Sequence, residues 1–515
     1  MIARRQFLGL AAAGALLGVN GCSVCPGTFG VTARRSPGVV PAATAALAFV
    51  AGGAVAAPGD VGPFTIAELL SAPSFFIAHR GSGDNWPEHT MHAYSESAAA
   101  GLKAIEVSVS STSDGMLVCH HDLNTKRVTG IDLTIARASY AALESVNIDA
   151  RAWLGPATPL APIPLLTEVL DRFAGSHVIF LEDKQGTNTD RILALLESYP
   201  AARDHIVWKQ PARSRAQAEA AASGYTTWGY LTAADYHRFA ELIPLVDMLG
   251  VHHTAPEDRI RELVDSGKPV IAWEVHRRSE HARLRELGVT GFICSNIRHV
   301  LHQEAPRSQD RFAEGIRGVG DLPWQADGVW REQPSFVDGA VRITSLERSG
   351  YGLGSMAEAV DTSDWELEFE LCWPEALPPG LPGAGVAFGQ DTDAPYRAGL
   401  GGVVAGYQFD FGADGTMTLY RQDNGGTAAV RLRSAVSPPP APREWVKFVV
   451  SVTPWKVAVR RVGGISVART VEAGDTRYGG RWFSLLKNYA AGPPVEFRGV
   501  RLRAVAAKDG CENVG

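Results

Sequence analysis

The 515-residue chain is poor in cysteine and has no excess of positive charge. Its six cysteines, at positions 22, 25, 119, 294, 372 and 511, are too few and too scattered for a disulfide scaffold. Its 49 basic residues are outnumbered by 55 acidic ones, which excludes a general nucleic-acid binder. Long uncharged apolar runs occur only in the first 60 residues, which excludes a polytopic membrane protein. With 45% hydrophobic residues, the remaining chain can bury the cores of several domains.

The N-terminus has the pattern of an export signal. Arg4 and Arg5 precede an apolar run, 7–19, that is too short for a membrane span and fits a signal peptide. The Arg-Arg-Gln-Phe-Leu order resembles a twin-arginine signal. Cys22 is a candidate for lipidation, and the apolar stretch 41–57 is left open between an anchor, a second cleavage region and a linker. We therefore expect residues 1–60 to direct export to the cell envelope or the medium.

Residues 61–310 have the alternation of a TIM-type (β/α)₈ barrel. Apolar β-rich runs separated by amphipathic segments indicate a parallel sheet covered by helices, and about 230 residues of it fit a closed barrel. The nine runs are Phe75–Ala78, Ala104–Val109, Leu117–His120, Val178–Leu181, Ile206–Trp208, Thr226–Tyr230, Met248–Val251, Val270–Trp273 and Gly291–Cys294.

Nine runs are one too many for eight barrel strands. Only Ser113-Asp114-Gly115 separates the second run from the third, which is too short for a parallel crossover and predicts a hairpin. We expect this hairpin to bring His121 close to the segment from Glu106 to Ser108.

The predicted strand ends carry residues suited to phosphodiester chemistry. They are His79 and Arg80 after the first strand, Glu106 on the second, His121 after the hairpin, and Glu182 with Lys184 after the next. Active sites of such barrels lie at these strand ends. Two histidines can act as general base and general acid, carboxylates can bind Mg²⁺ or Ca²⁺, and arginine and lysine can stabilise phosphate oxygens. Each residue alone also fits a structural role, as a helix cap or a surface ion pair.

An ordered series of motifs runs from Ser74 to His302. The motifs are Ala78-His79-Arg80-Gly81, Trp86-Pro87-Glu88-His89-Thr90, Ile105-Glu106-Val107-Ser108-Val109, Thr112-Ser113-Asp114-Gly115, His121-Asp122 with Arg127, Thr129 and Gly130, Ile163-Pro164-Leu165-Leu166, Leu181-Glu182-Asp183-Lys184, and Trp273. Together they resemble the glycerophosphodiester phosphodiesterases.

The resemblance implies a phosphoric diester hydrolase in which His79 and His121 perform acid–base catalysis. The glycerol 2-hydroxyl attacks phosphorus, and water then opens the cyclic phosphate to give sn-glycerol 3-phosphate and an alcohol such as choline or ethanolamine. The implied cofactor is a divalent metal ion, Mg²⁺ or Ca²⁺. Its implied ligands are Glu106, Glu182 and Ser108, with Glu88 near the site. Arg80 and Lys184 match phosphate-contacting positions, and Trp273 matches the substrate pocket.

Two positions depart from the family pattern. Ser108 stands where the family has an aspartate, and Cys294-Ser295-Asn296 stands where it usually has one late in the last strand. Losing an anionic ligand weakens a divalent-cation site, although Ser108 still offers a neutral oxygen. Three interpretations stay open: weaker metal binding, altered specificity, or loss of activity.

Residues 320–507 predict a separate all-β sandwich, after a polar segment, 302–320, that fits a linker or a final helix. The strand pattern resembles concanavalin-like jelly rolls, which implies contact with envelope glycans. Four tryptophans can either stack on sugars or fill the core, and the core is favoured for each. They are Trp330, Trp365, Trp445 and Trp455.

Three functions remain in competition. The first is an exported, metal-dependent hydrolase of glycerophosphodiesters. The second is a phospholipase D-like or sphingomyelinase-like enzyme that acts on intact phospholipids or lysophospholipids. The third is a non-catalytic envelope binding protein with a decayed metal site, against which the presence of both histidines, Glu106, Glu182 and Lys184 argues.

Overall fold

The computed structural model describes residues 64–505, apart from 303–304, 325–333, 345–348, 361, 379, 395, 397–403, 424–427 and 464–468. The predicted export segment, Cys22 and Trp330 lie outside the described residues. Within them, none of the helices combines the length and the apolar character that a membrane span requires.

Eight parallel strands close into a barrel within the fully described residues 64–302. The strands of this part of the chain are β1 (Phe75–Ala78), β2 (Ala104–Ser111), β3 (Leu117–Cys119), β4 (Asn147–Ile148), β5 (Ala161–Pro162), β6 (Val178–Asp183), β7 (Ile206–Pro211), β8 (Thr226–Leu231), β9 (Met248–His252), β10 (Val270–Val275) and β11 (Gly291–Cys294). The ring closes because β1 pairs with both β11 and β2. The barrel prediction is therefore confirmed.

The extra strand belongs to the expected hairpin. β3 pairs antiparallel with β2, with Val109 opposite Cys119, and lies outside the ring. The backbone N–H of His120 donates to the carbonyl of Ser108 at 2.9 Å. His121 is thus held beside the carboxyl end of β2, as the short Asp-Gly turn predicts.

Helices cover the outside of the barrel. They are α1 (Ile66–Ser71), α2 (Met91–Ala99), α3 (Lys126–Thr129), α4 (Tyr140–Glu144), α5 (Arg151–Leu154), α6 (Leu166–Phe173), α7 (Thr189–Leu196), α8 (Ala202–His205), α9 (Arg215–Ala222), α10 (Phe239–Leu242), α11 (Glu257–Val264), α12 (Arg278–Glu286) and α13 (Ile297–Val300). Short 3₁₀ turns lie at His79–Gly81, Ile135–Arg137, Ala233–Arg238 and Ile243–Leu245.

The barrel interior changes from apolar to charged along the strands. An apolar layer fills one end and includes Val178 and Phe180 of β6 and Val207 of β7. Side chains two residues apart share a face of a strand, so Glu182 and Lys209 follow these residues on the inward face. The apolar layer therefore lies below a charged layer at the carboxyl ends of the strands.

The C-terminal part is a β-sandwich of two antiparallel sheets, each with seven of the described strands. Its elements are β12 (Asp321–Trp324), β13 (Ser335–Val337), β14 (Ala340–Ile343), β15 (Ser349–Leu353), α14 (Gly354–Ala357), β16 (Trp365–Cys372), β17 (Ala384–Gly389), β18 (Gly406–Phe411), β19 (Thr416–Gln422), β20 (Val430–Val436), β21 (Val446–Val452), β22 (Val457–Val462), β23 (Thr470–Ala473), β24 (Gly480–Lys487) and β25 (Val495–Ala504). Side chains from both sheets form one apolar core.

The tryptophans of the sandwich do not all behave as predicted. Trp365 is completely buried in the core, as expected. Trp445 is half-buried, and the guanidinium of Arg498 lies 4.0 Å from the centre of its ring. Trp455 is 79% exposed because it lies in the turn between β21 and β22, so the core prediction is wrong for this residue.

The segment between the two parts is a linker rather than a final helix. Its described residues, 302 and 305–320, form a single short helical element, a 3₁₀ turn at Phe312–Glu314, and Phe312 is buried in the sandwich core. The backbone N–H of Leu502 donates to Ser308 at 2.8 Å, which joins the linker to β25.

One sandwich residue caps a barrel helix. Asp393, in the loop after β17, accepts the backbone N–H groups of Arg278 at 2.6 Å and Ser279 at 2.9 Å. These are the first two residues of α12, whose N–H groups have no partner within the helix. The same carboxylate contacts Nε2 of His299 at 2.9 Å. Asp393 therefore replaces a local N-cap and fastens the two folds together.

Candidate active site

The first loop of the site leaves β1 in an unusual conformation. Arg80, Gly81 and Ser82 have φ values of 53°, 80° and 68°, in the left-handed region. A Cβ atom at Gly81 would lie 2.7 Å from Cβ of Ala93, so glycine is required there for packing as well as for backbone freedom. The turn points the backbone N–H of Arg80 at Oε2 of Glu106, at 2.9 Å.

His79 is buried beside a carboxylate. Its Nδ1 lies 2.5 Å from Oγ of Ser295 and 3.0 Å from Oε2 of Glu274. Burial lowers the pKa of His79 to about 4, although the charge of Glu274 opposes this shift. Burial works to raise the pKa of Glu274, but the neighbouring His79 and His276 outweigh it and hold this pKa at about 2. Because Nδ1 is engaged, Nε2 is the nitrogen of His79 that can exchange protons.

His121 has the same arrangement through a different carboxylate. Its Nδ1 lies 2.8 Å from Oδ1 of Asp122, and Oδ2 of Asp122 accepts Nε of Arg127 at 2.7 Å. Burial lowers the pKa of His121, and the hydrogen bond to Asp122 opposes the shift. Each predicted catalytic histidine is thus oriented by a carboxylate at Nδ1.

Glu88 is held between two arginines. Arg127 donates to Oε2 at 2.8 Å and to Oε1 at 2.5 Å, and Nη1 of Arg80 donates to Oε1 at 3.1 Å. Burial works to raise the pKa of Glu88, but Arg127 and Arg80 outweigh it and hold that pKa well below its ordinary value. Glu88 therefore connects the loop of His79 to the loop of His121.

Glu106 and Glu182 lie on either side of a lysine. Nζ of Lys209 is 2.6 Å from Oε1 of Glu106 and 2.6 Å from Oε2 of Glu182. Burial opposes the charge of Lys209, but the two carboxylates outweigh it and raise the pKa of the amine. Lys184 donates to Oε1 of Glu182 at 3.1 Å, and the hydroxyl of Tyr230 donates to the same oxygen at 3.0 Å.

These residues as placed do not fit a divalent cation. The space between Glu106 and Glu182 is taken by the ammonium of Lys209. Ser108, fully buried, donates its hydroxyl to Oε1 of Glu106 at 3.2 Å. In the described part of the chain, no group of three or more histidine, cysteine, aspartate or glutamate side chains is arranged to hold a metal ion. The metal roles of Glu88, Glu106, Ser108 and Glu182 stay predictions.

Trp273 lies in an aromatic group on the charged layer. Its ring centre is 5.5 Å from that of Tyr230, 5.8 Å from that of His252 and 6.1 Å from that of Trp228. A cavity of about 210 Å³ opens beside His79 and Arg80, and Glu274, Arg127 and Trp153 also line it. The cavity brings together residues from the turn after β1, from α3 and α5, and from the end of β10.

Sequence reasoning missed Lys209, Glu274 and Tyr230, and it gave Arg127 a motif position but no role. Lys209 had a detectable signal: it is a charged residue two positions after the inward-facing Val207 in an apolar strand. Glu274 had none of this kind, because it adjoins Trp273 and alternation alone would turn it away from the cavity. Its contact with His79 is made across the carboxyl end of the barrel, where β11 separates β10 from β1.

A comparison with known families settles the class of the barrel. Residues 79–299 match the model of the glycerophosphoryl diester phosphodiesterase family. The matched residues lie within the barrel and are similar to that family. The barrel is accordingly that of a phosphoric diester hydrolase.

Individual proteins are also similar to this barrel. YhdW of Bacillus subtilis (strain 168) is 24% identical over 228 residues, which cover 42% of this chain and 93% of that protein. A glycerophosphodiester phosphodiesterase of the same organism is 28% identical over 142 residues, 25% of this chain and 47% of its own length. A solved Oleispira antarctica phosphodiesterase, in complex with the product sn-glycerol-3-phosphate, is 21% identical with a TM-score of 0.40, and the match covers 45% of this chain and 98% of that one.

Proposed function

We propose that this protein is an exported hydrolase of glycerophosphodiesters that releases sn-glycerol 3-phosphate and an alcohol. The observation that carries the proposal is the pair of histidines, His79 and His121, each held at Nδ1 by a carboxylate. A carboxylate at Nδ1 fixes the ring and stabilises the imidazolium that forms when Nε2 accepts a proton. Two such dyads in one barrel supply a general base and a general acid.

The assignment of the base follows from burial. His79 is neutral at neutral pH because burial lowers its pKa to about 4, which makes it ready to accept a proton. We assign it as the base that takes the proton of the glycerol 2-hydroxyl as the new oxygen–phosphorus bond forms. His121 then gives a proton to the alcohol oxygen as its bond to phosphorus breaks. In the second step the roles reverse, and water opens the cyclic phosphate.

The positive side chains around the cavity favour an anionic substrate. Arg80 and Arg127 line the cavity, and Lys184 and Lys209 contact Glu182 in the charged layer. Positive groups placed before the reaction stabilise charge that develops on phosphate oxygens. The divalent ion that the resemblance implies is not part of this proposal, because the carboxylates that would bind it are already paired.

The test is turnover of glycerophosphocholine and glycerophosphoethanolamine by the purified protein, followed as release of sn-glycerol 3-phosphate. Loss of turnover in His121→Ala and His79→Ala, with unchanged melting temperature, is the supporting result. Equal turnover in wild type and both variants would contradict the proposal.

A lysophospholipid is a second candidate substrate, favoured by one observation. The loop that follows His121 exposes Leu123 by 64% and Ile131 by 50%. Two exposed apolar side chains beside a catalytic loop can contact an acyl chain or a lipid surface. If lysophosphatidylcholine is the true substrate, Leu123→Ser/Ile131→Ser will lower its turnover and leave that of glycerophosphocholine unchanged. Equal effects on both substrates would remove this candidate.

Export and envelope contact extend the proposal. Arg4 and Arg5 support export by a twin-arginine pathway, and Arg4→Lys/Arg5→Lys should retain the protein in the cytoplasm of a host with that pathway. The exposed Trp455 is the side chain that we assign to contact with envelope glycans. Co-sedimentation with cell-wall polysaccharide, reduced in Trp455→Ala, tests this assignment.

A further inference from the structure

Lys209 lies where a cation shared by Glu106 and Glu182 would have to lie. Its Nζ is 2.6 Å from one oxygen of each carboxylate. These distances are at the upper end of the range for Ca²⁺, about 2.3–2.6 Å, and are longer than the distances of about 2.0–2.1 Å at which Mg²⁺ binds oxygen. An ammonium and a metal ion cannot share one position between the same two oxygens.

The charges of the site already balance without a metal ion. Glu106 and Glu182 carry two negative charges, and Lys209 and Lys184 carry two positive charges in direct contact with them. Glu106 is fully buried, and Lys209 is 9% exposed. A divalent ion added to this set would leave a net charge of two buried in the barrel, and burying uncompensated charge is strongly unfavourable.

The remaining oxygens of the two carboxylates also have protein donors. Oε2 of Glu106 accepts the backbone N–H of Arg80, and Oε1 accepts the hydroxyl of Ser108. Oε1 of Glu182 accepts Lys184 and Tyr230, while its Oε2 makes only the ionic contact with Lys209. A cation that needs six or more oxygen ligands would have to displace several of these donors.

Ser108 and Lys209 both make the site less negative than a site with an aspartate at 108 and no lysine between the carboxylates. An aspartate at 108, on the inward face of β2 with Glu106, would add a third carboxylate beside the amine. The serine instead donates a hydrogen bond to Glu106. A neutral residue at 108 therefore suits an ammonium between the carboxylates, whereas three carboxylates would suit a divalent ion.

We propose that the ammonium group of Lys209 takes the place of a divalent cation, so that this barrel works without a metal ion. The part of the proposal that concerns activity rests on the proposed function, and the part that concerns binding does not. A lysine ammonium has three N–H donors, of which two are directed at the carboxylates.

The experiment combines a binding arm with an activity arm on the wild-type protein. Isothermal titration calorimetry with Mg²⁺, Ca²⁺ and Mn²⁺, after dialysis against EDTA, should show no stoichiometric binding, and elemental analysis should find well below one ion per chain. Turnover of glycerophosphocholine should change less than twofold between excess EDTA and added metal. One-to-one binding that Glu106→Gln abolishes, or a tenfold loss of turnover in EDTA that metal restores, would overturn the proposal.

Two variants sharpen the binding arm. Ser108→Asp/Lys209→Ser removes the ammonium and adds a carboxylate, so it should bind Ca²⁺ at least tenfold more tightly than wild type and melt at a higher temperature with Ca²⁺. Lys126→Met, at an exposed lysine, is the matched control and should bind no metal. If wild type turns over no glycerophosphodiester under any condition, the proposed function fails, and calorimetry on wild type alone decides the role of Lys209.

Discussion

At the scale of the residue, the two histidines that we propose as catalytic are each held at Nδ1 by a carboxylate, but by different partners. Glu274, next to Trp273 on β10, holds His79, and Asp122, the next residue in the chain, holds His121. Glu274 lies on a strand that is distant in the sequence, whereas Asp122 is the neighbour of His121 in the chain. The local pair at His121 was therefore within reach of sequence reasoning, whereas the pair at His79 was not.

Replacing either histidine with alanine should remove proton transfer and leave the phosphate contacts in place. We expect kcat for glycerophosphocholine to fall by about 10²–10⁴-fold in His79→Ala or His121→Ala. KM should change much less, and steady-state kinetics measure both constants. His92→Ala, at a partly exposed position on α2, is the control and should keep the wild-type kcat. A loss confined to KM would contradict the assignment.

The pH dependence follows from the lowered pKa of His79. As a general base, His79 is active when neutral, so kcat/KM should rise with pH through about 4. Glu274 raises this pKa, so Glu274→Gln should move the acidic limb to lower pH. Glu286→Gln, at an exposed position on α12, should leave the limb in place. Tryptophan fluorescence at each pH separates titration from unfolding, and an acidic limb near pH 6.5 would refute the assignment.

At the scale of the element, the N-terminus of the barrel helix α12 is capped by a residue of the sandwich. Its own N-cap position, Arg277, makes no side-chain cap bond, and Asp393 accepts the first two N–H groups instead. Asp393 is also the partner of His299, which is buried. The amphipathic pattern of α12 predicts a helix, but the cap lies more than 100 residues away.

Removing the carboxylate at 393 should destabilise the protein by about 2–3 kcal/mol, since a cap and a buried hydrogen-bonded charge are lost together. Urea unfolding of Asp393→Ala measures this, with Asp391→Ala as the control at an exposed position in the same loop. Burial works to raise the pKa of Asp393, but His299 and Arg277 outweigh it and lower the pKa from 3.8 to about 2. The contribution is therefore present above pH 4 and lost as the pH falls towards 2. Equal stability of the two variants would refute the role of the cap.

At the scale of the whole molecule, side chains of the barrel and side chains of the sandwich both contribute contacts that join the two folds. Asp393 reaches from the sandwich to α12, and Arg278 forms an ion pair with Glu358. The linker at Ser308 pairs with β25. These contacts couple two folds that have separate apolar cores.

Because of these contacts, we expect the barrel and the sandwich of the wild-type protein to unfold in one cooperative thermal transition. In Asp393→Ala/Glu358→Ala two of the side-chain links are lost, and scanning calorimetry should resolve two transitions, because each fold keeps its own core. Asp391→Ala should keep the single transition. Two resolved transitions in the wild type would show that the coupling is weak.

The sequence by itself determined most of the barrel strands and the hairpin, and it named the residues that we propose carry the chemistry. Alternation and turn residues depend on neighbours in the chain, so β1 and β11 have the predicted bounds, and the Asp-Gly turn placed His121 correctly beside β2. Trp455 is exposed because it lies in a turn, and the prediction that it fills the core did not take this turn into account.

Only the tertiary structure decided how the charges of the site are paired. Lys209 and Glu106 are 103 positions apart, and Glu274 and His79 are 195 apart, and closing the barrel brings each pair into contact. Whether two carboxylates bind a metal ion or an ammonium depends on which side chain from a third strand enters the space between them. Periodicity shows that Lys209 points inward, but the register of β2, β6 and β7 sets the distance at which it meets both carboxylates.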